Sequence, residues 1–78
     1  MSHVVLYGKA DCSLCDEMKD VIEQVRGEIP FTVEVVDIER DAALAAAYAL
    51  DIPVLFIDGR KAFKHRVDAA ALRRRLAR

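Results

Sequence analysis

Residues 3–16 read His-Val-Val-Leu-Tyr-Gly-Lys-Ala-Asp-Cys-Ser-Leu-Cys-Asp. His3 to Tyr7 is a short apolar and β-branched run that stops at Gly8, the pattern of a strand buried on both faces. From Leu14 the apolar residues fall at 14, 18, 21, 22 and 25 (Leu, Met, Val, Ile, Val), the spacing of one core-facing helical stripe, which Gly27 and Pro30 bring to an end. A strand that turns directly into a helix therefore brackets both cysteines of the chain, with Cys12 in the connection and Cys15 in the first helical turn.

Working outward, residues 31–38 (Phe-Thr-Val-Glu-Val-Val-Asp-Ile) combine partial alternation with strong strand propensity and complete a β-α-β unit. Asp41 suits the cap of a second helix that runs through the Ala-rich stretch to Leu50, because a short carboxylate there accepts from the first free amides. Ala-rich helices pack closely. Val54–Ile57 and Arg60–His65 flank Asp58-Gly59, which tolerates the positive φ angles of a type I′ hairpin turn, so these two strands are antiparallel neighbours. Asp68 caps a last helix whose inner face carries Ala69, Leu72 and Leu76. The predicted order is β-α-β-α-β-β-α, one domain over residues 1–78 with no repeat or linker.

At 78 residues, 54% hydrophobic, there is apolar material for one core and none to spare for a second. The first residues have four apolar side chains in a row before Gly8, far short of a signal-peptide core or a membrane span, so the expectation is a cytoplasmic protein that works without a membrane. Thiols are kept reduced there, and a close cysteine pair is then catalytic or metal-binding rather than a staple. The formal charge of −1 hides an asymmetry: residues 1–59 carry 4 basic and 12 acidic side chains, net −8, and residues 60–78 carry 8 basic and 1 acidic, net +7. No aromatic residue follows Phe63 to stack on bases, so the arginines at 73, 74, 75 and 78 are read as complementing a helix dipole rather than binding nucleic acid. A monomer is expected.

For the cysteines themselves three readings stand open: inert buried thiols, half of a metal site, or a redox couple. A structural metal site needs four ligands, and the remaining candidates, His3 and His65, are far apart in sequence; an exposed strand end and a sheet residue are their expected roles. Position favours the couple. A thiol at a helix N-terminus faces unpaired amides and the positive end of the dipole, which favour the attacking thiolate, and Cys15 is near enough to resolve a mixed disulfide. Cys12 is the candidate nucleophile.

The stretches Tyr-Gly-Lys-Ala-Asp-Cys-Ser-Leu-Cys after a strand and Asp-Ile-Pro-Val-Leu-Phe-Ile-Asp-Gly after the second helix, in this element order, resemble a glutaredoxin, in particular the small bacterial glutaredoxin-like proteins with a C-x-L-C motif. The resemblance spans nearly the whole chain. It implies the α/β thioredoxin fold, with a four-stranded mixed sheet flanked by helices, and a thiol-disulfide oxidoreductase. By the same resemblance Cys12 is the nucleophile, Cys15 the resolving cysteine and Pro53 a cis-proline facing them. Ile52 pairs its backbone with glutathione or a partner peptide, Lys9 meets glutathione's glycine carboxylate, and Val67 and Asp68 stand at the γ-glutamyl end. The implied exchange partners are a protein disulfide or a glutathione mixed disulfide, with glutathione a co-substrate and no permanently bound cofactor.

Two departures from the family pattern stand out. Its Pro-Tyr between the cysteines is Ser13-Leu14 here, and its Gly-Gly before an acidic residue is replaced by His65-Arg66-Val67-Asp68. Asp11, Asp16 and Glu17 also surround the cysteines and oppose negative charge there, while Lys9 and the dipole favour it. Two other functions are kept in view: a docking module without turnover, using Leu14 and the Ile52-Pro53 edge, and a metal or iron–sulfur carrier joining two chains through Cys12.

Overall fold

The apolar run that opens the chain forms β1 (Ser2–Gly8), which pairs in parallel with β2 (Phe31–Asp37) on one side and antiparallel with β3 (Val54–Ile57) on the other. The structure, a computed structural model, describes residues 1–77; Arg78, the last of the basic tail, lies outside them. β4 (Arg60–Lys64) completes one four-stranded mixed sheet among the described residues, in the order β2-β1-β3-β4. Three helices follow the predicted order: α1 (Ser13–Arg26), α2 (Ala42–Tyr48) and α3 (Ala69–Leu76).

Alternation along the strands sorts their side chains between two unequal faces. Val4 and Leu6 of β1 and Leu55 and Ile57 of β3 meet Met18, Ile22 and Val25 of α1 and Leu72 and Leu76 of α3 in the main core. The opposite face is thinly covered. The sequence pattern predicts a β1 buried on both faces, yet Val5 and Tyr7 are half-buried and His3 is exposed. The reason is α2, which ends at Tyr48 rather than Leu50 and has no buried residue of its own. It touches the sheet end through Leu44 and Tyr48, not through close-packed alanines. Tyr48 joins Tyr7 and Phe56 in an aromatic cluster with ring centroids 5.2 to 6.1 Å apart.

Local chemistry fixes the element ends. Asp41 Oδ1 accepts from the amides of Ala43 and Leu44 at 2.8 and 3.2 Å, and Asp68 Oδ1 from Ala71 at 2.7 Å, so both predicted caps are present. Asp58 and Gly59 have φ of 51° and 83°, the two positive angles of the predicted turn. Asp58 also exchanges two hydrogen bonds of 2.9 Å with the backbone of His3, tying the hairpin to the start of β1. Two strand ends differ from the sequence reading. Ile38 opens a 3₁₀ turn (Ile38–Arg40) instead of ending β2. His65, expected in the last strand, lies beyond β4 with φ of 68°.

Candidate active site

The Gly8-to-Ser13 connection turns the chain from the central strand into α1, helped by Asp11 at φ 54°, a left-handed conformation that aspartate tolerates better than most residues. Cys12 is the N-cap of α1, with an extended backbone and its sulfur accepting the Cys15 amide at 3.2 Å. A thiol thus takes the place of the usual hydroxyl or carboxylate cap. Cys12 and Cys15 are joined by a disulfide, with Cα atoms 5.2 Å apart. Their surroundings are unequal. Cys12 is half-buried, whereas Cys15 is 0% exposed.

Cys15 is walled by Ile38 and Ile52, with Tyr7, Leu44 and Tyr48 behind them. On the strand side the wall is a missing side chain: a Cβ on Gly8 would lie 3.0 Å from the Cys15 sulfur. Ile52 and Pro53 are buried and joined by a cis peptide bond. Their loop is held at both ends, by the Ile52 amide donating to the Tyr48 carbonyl at 3.1 Å and the His65 amide donating to the Pro53 carbonyl at 2.7 Å.

The remaining residues singled out in the sequence do not converge on one spot. Leu14, Val67 and Asp68 line a cavity of about 470 Å³ between α1 and the connection from β4 to α3, on an apolar floor of Met18, Val21 and Phe63. Lys9 is exposed and lines a smaller cavity of about 210 Å³ beside β2, with Asp16, Lys19 and Asp37. Lys9 and the pair Val67 and Asp68 thus line two different cavities. Glu17 is exposed, with its carboxylate 3.8 Å from the Arg66 guanidinium. His3 bonds Thr32 at 2.6 Å and lies 3.5 Å from Glu34. Among the described residues no three His, Cys, Asp or Glu side chains form a cluster able to hold a metal ion, and no helix is long and apolar enough to cross a membrane.

Sequence reasoning missed Gly8, Ile38, Tyr48 and Phe63 as parts of this region. Gly8 alone carried a signal, as a glycine at the end of an otherwise β-branched strand, where close approach of another group is a common cause.

A four-stranded mixed sheet with helices on both faces and a cysteine pair where the first strand enters the first helix defines the thioredoxin-fold superfamily. Within it, the chain belongs to the glutaredoxin-like domain family, whose model matches residues 3–77. It is 32% identical over 72 residues to the "Glutaredoxin-like protein YDR286C homolog" of Dictyostelium discoideum, covering 85% of this chain and 67% of that one. Among solved structures it is similar to target protein XcR50 from X. campestris, with 39% identity, 95% of each chain covered and a TM-score of 0.78. A thioredoxin from Halobacterium salinarum is 26% identical with a TM-score of 0.65, covering 94% of this chain and 69% of that one.

Proposed function

We propose that the chain is a thiol-disulfide oxidoreductase that works as a cytoplasmic monomer through Cys12 and Cys15, exchanging with a protein disulfide or a glutathione mixed disulfide. One observation carries this reading: the half-buried Cys12 caps α1 with its sulfur, which accepts the Cys15 amide, while its disulfide partner Cys15 is fully buried. The amide and the helix N-terminus are placed to hold negative charge on Cys12, and burial denies Cys15 to outside disulfides. Neither nucleic acid nor a membrane enters this reading.

The chemistry balances as two exchanges. The Cys12 thiolate attacks one sulfur of the substrate disulfide; the bond from Cys12 to that sulfur forms, and the other substrate sulfur leaves as a thiolate and takes a proton from water. Cys15, as its thiolate, then attacks the Cys12 sulfur, so that the Cys12–Cys15 bond forms and the second substrate thiol is released. Two electrons pass from the pair to the substrate, and a thiol reductant such as glutathione returns them. Glutathione is a co-substrate here and no cofactor stays bound.

The test is a titration of the pair against glutathione or dithiothreitol buffers, read by alkylation and mass spectrometry. A single two-electron transition is expected, together with faster alkylation of Cys12 than of Cys15 in the reduced protein. A pair that shows no such transition would overturn the reading in favour of a docking module that keeps the fold without turnover.

A further inference from the structure

We propose that the open edge of β2 seats an extended segment of a partner protein, apolar on one face and carrying Lys or Arg on the other, which joins the four-stranded sheet as an added strand. The proposal goes beyond the oxidoreductase reading and does not depend on it.

The two edges of the sheet are unlike. β2 and β4 are its outermost strands among the described residues, and an outermost strand presents a row of backbone donors and acceptors to any other chain. Proteins ordinarily blunt such an edge with charged side chains, above all Lys, with Pro, with bulges or by keeping the strand short. β4 carries that protection: it has five residues, of which Arg60, Lys61 and Lys64 are cationic, and its register shifts opposite Leu55 and Phe56. β2 has little of it. Its seven residues pair with β1 in unbroken register from Phe31 to Asp37, with no Lys, Arg or Pro among them.

The side chains of β2 define what fits there. On the core face the packing runs out along the strand: Phe31 is buried, Val33 half-buried and Val35 54% exposed. Apolar residues of an added strand would meet Val33 and Val35 and carry the core outward. Val35 also borders the cavity of about 210 Å³, whose charged walls, Lys9 and Lys19 against Asp16 and Asp37, balance each other. The opposite face of β2 presents Thr32, Glu34 and Val36, and Glu34 is exposed. A cation suits the position across from Glu34, because opposite charges on paired strands attract and like charges repel. Backbone hydrogen bonds would hold such a segment, and its alternate side chains would select it. A second copy of the chain fits less well. Its β2 would bring Glu34 and Asp37 with no base, and its β4, though basic, is interrupted by a bulge, which bends a strand and breaks its ladder. At the Asp37 end the cavity is lined by Lys9 and Ala10, so a bound segment ends beside the connection that leads to Cys12.

The experiment uses the full chain, nitrogen-15 labelled and oxidised so that the cysteines are silent, titrated with three short capped peptides of equal length and followed by backbone amide shifts in NMR. One peptide alternates Val with Lys, one alternates Val with Glu, and the third is the Val-Lys peptide N-methylated throughout, which cannot donate to a ladder. The Val-Lys peptide is expected to shift the amides of residues 32–36 and to bind about fivefold or more tighter than the Val-Glu peptide, the scale of a cross-strand attraction exchanged for a repulsion. The N-methylated peptide is expected to leave those amides unmoved. Glu34→Lys should reverse the order of the two Val peptides; if circular dichroism shows that variant unfolded, Glu34→Gln takes its place and should bring their ratio toward one. Equal affinities on the native chain, shifts centred on β4 or α3, an N-methylated peptide that binds as well, or no binding at millimolar peptide would overturn the proposal. A native chain that sediments as a dimer or larger, with β2 amides protected from exchange, would overturn it in favour of a second copy on this edge.

Discussion

Replacing Gly8 with alanine tests how the buried sulfur is accommodated. The added Cβ would stand 3.0 Å from the Cys15 sulfur and 3.3 Å from its Cβ, where ordinary van der Waals contact begins near 3.4 Å. One of the two groups must therefore give by a few tenths of an ångström. Neither has an easy retreat: Gly8 is paired with Asp37 in the parallel ladder, and Cys15 is 0% exposed behind Ile38 and Ile52. Overpacking of this kind costs about 1–3 kcal/mol. The cost falls unevenly on the two redox states. In the oxidised protein the bond to Cys12 fixes the sulfur in addition to its packing, whereas in the reduced protein packing alone resists its displacement. If the oxidised form loses about 1 kcal/mol more than the reduced one, a two-electron couple shifts by about 20 mV toward a stronger oxidant, since 30 mV corresponds to about 1.4 kcal/mol. Urea unfolding of both redox forms of native protein and Gly8→Ala measures the stability loss, and equilibration with dithiothreitol buffers measures the potential. A variant whose oxidised form is as stable as the native one, or whose potential moves the other way, would refute the reasoning.

Cys12→Ser is expected to abolish disulfide reduction, whereas Cys15→Ser should trap a mixed disulfide at Cys12, seen as an adduct by mass spectrometry. Gly59→Ala should cost about 1 kcal/mol in denaturant unfolding purely through its backbone, because φ is 83° and nothing lies within 4 Å of the new methyl; an unchanged midpoint would count against the turn assignment. The Arg73 guanidinium, bonded to Glu28 at 2.7 and 2.9 Å, holds the Glu28 carboxyl below the usual carboxylate range. That contribution is present above the unfolded carboxyl pKa of about 4.3 and is lost as pH falls through the lower folded value. Glu28→Gln should therefore be less stable than native protein near pH 7, with the difference closing as the pH is lowered below about 4; a constant difference in unfolding free energy from pH 7 to pH 3 would exclude the pair as its source.

Local chemistry is legible in the sequence because its causes lie within a few residues. Asp41 and Asp68 cap helices through their own next turn, Asp58-Gly59 sets its own angles, and Cys12 heads the helix whose stripe begins two residues later. Spacing alone is therefore enough to place both cysteines at the strand-to-helix junction. What the sequence hides depends on distant packing. Gly8 is shaped by a sulfur seven residues on, and Ile38 leaves the strand to close over that same sulfur. The bare alanine faces of α2 follow from how little of the sheet it reaches. His65 adopts its left-handed backbone where its amide meets the Pro53 carbonyl, a bond that no pattern within β4 encodes. The split of Lys9 from Val67 and Asp68 into separate cavities likewise reflects where α1 stands between β2 and α3.

The thin cover over the second face of the sheet sets a hierarchy of motion. β1 is hydrogen-bonded on both sides, so its amides should exchange with solvent only when the whole molecule opens, and the root of the reactive loop is as durable as the fold itself. α2, with no buried residue, belongs to the low end of the range of local opening energies. Yet α2 carries Leu44 and Tyr48, which pack over the chamber that holds Cys15. The protein thus backs the wall around its more protected sulfur with its least anchored helix, so the amides of α2 should exchange with solvent well before those of β1.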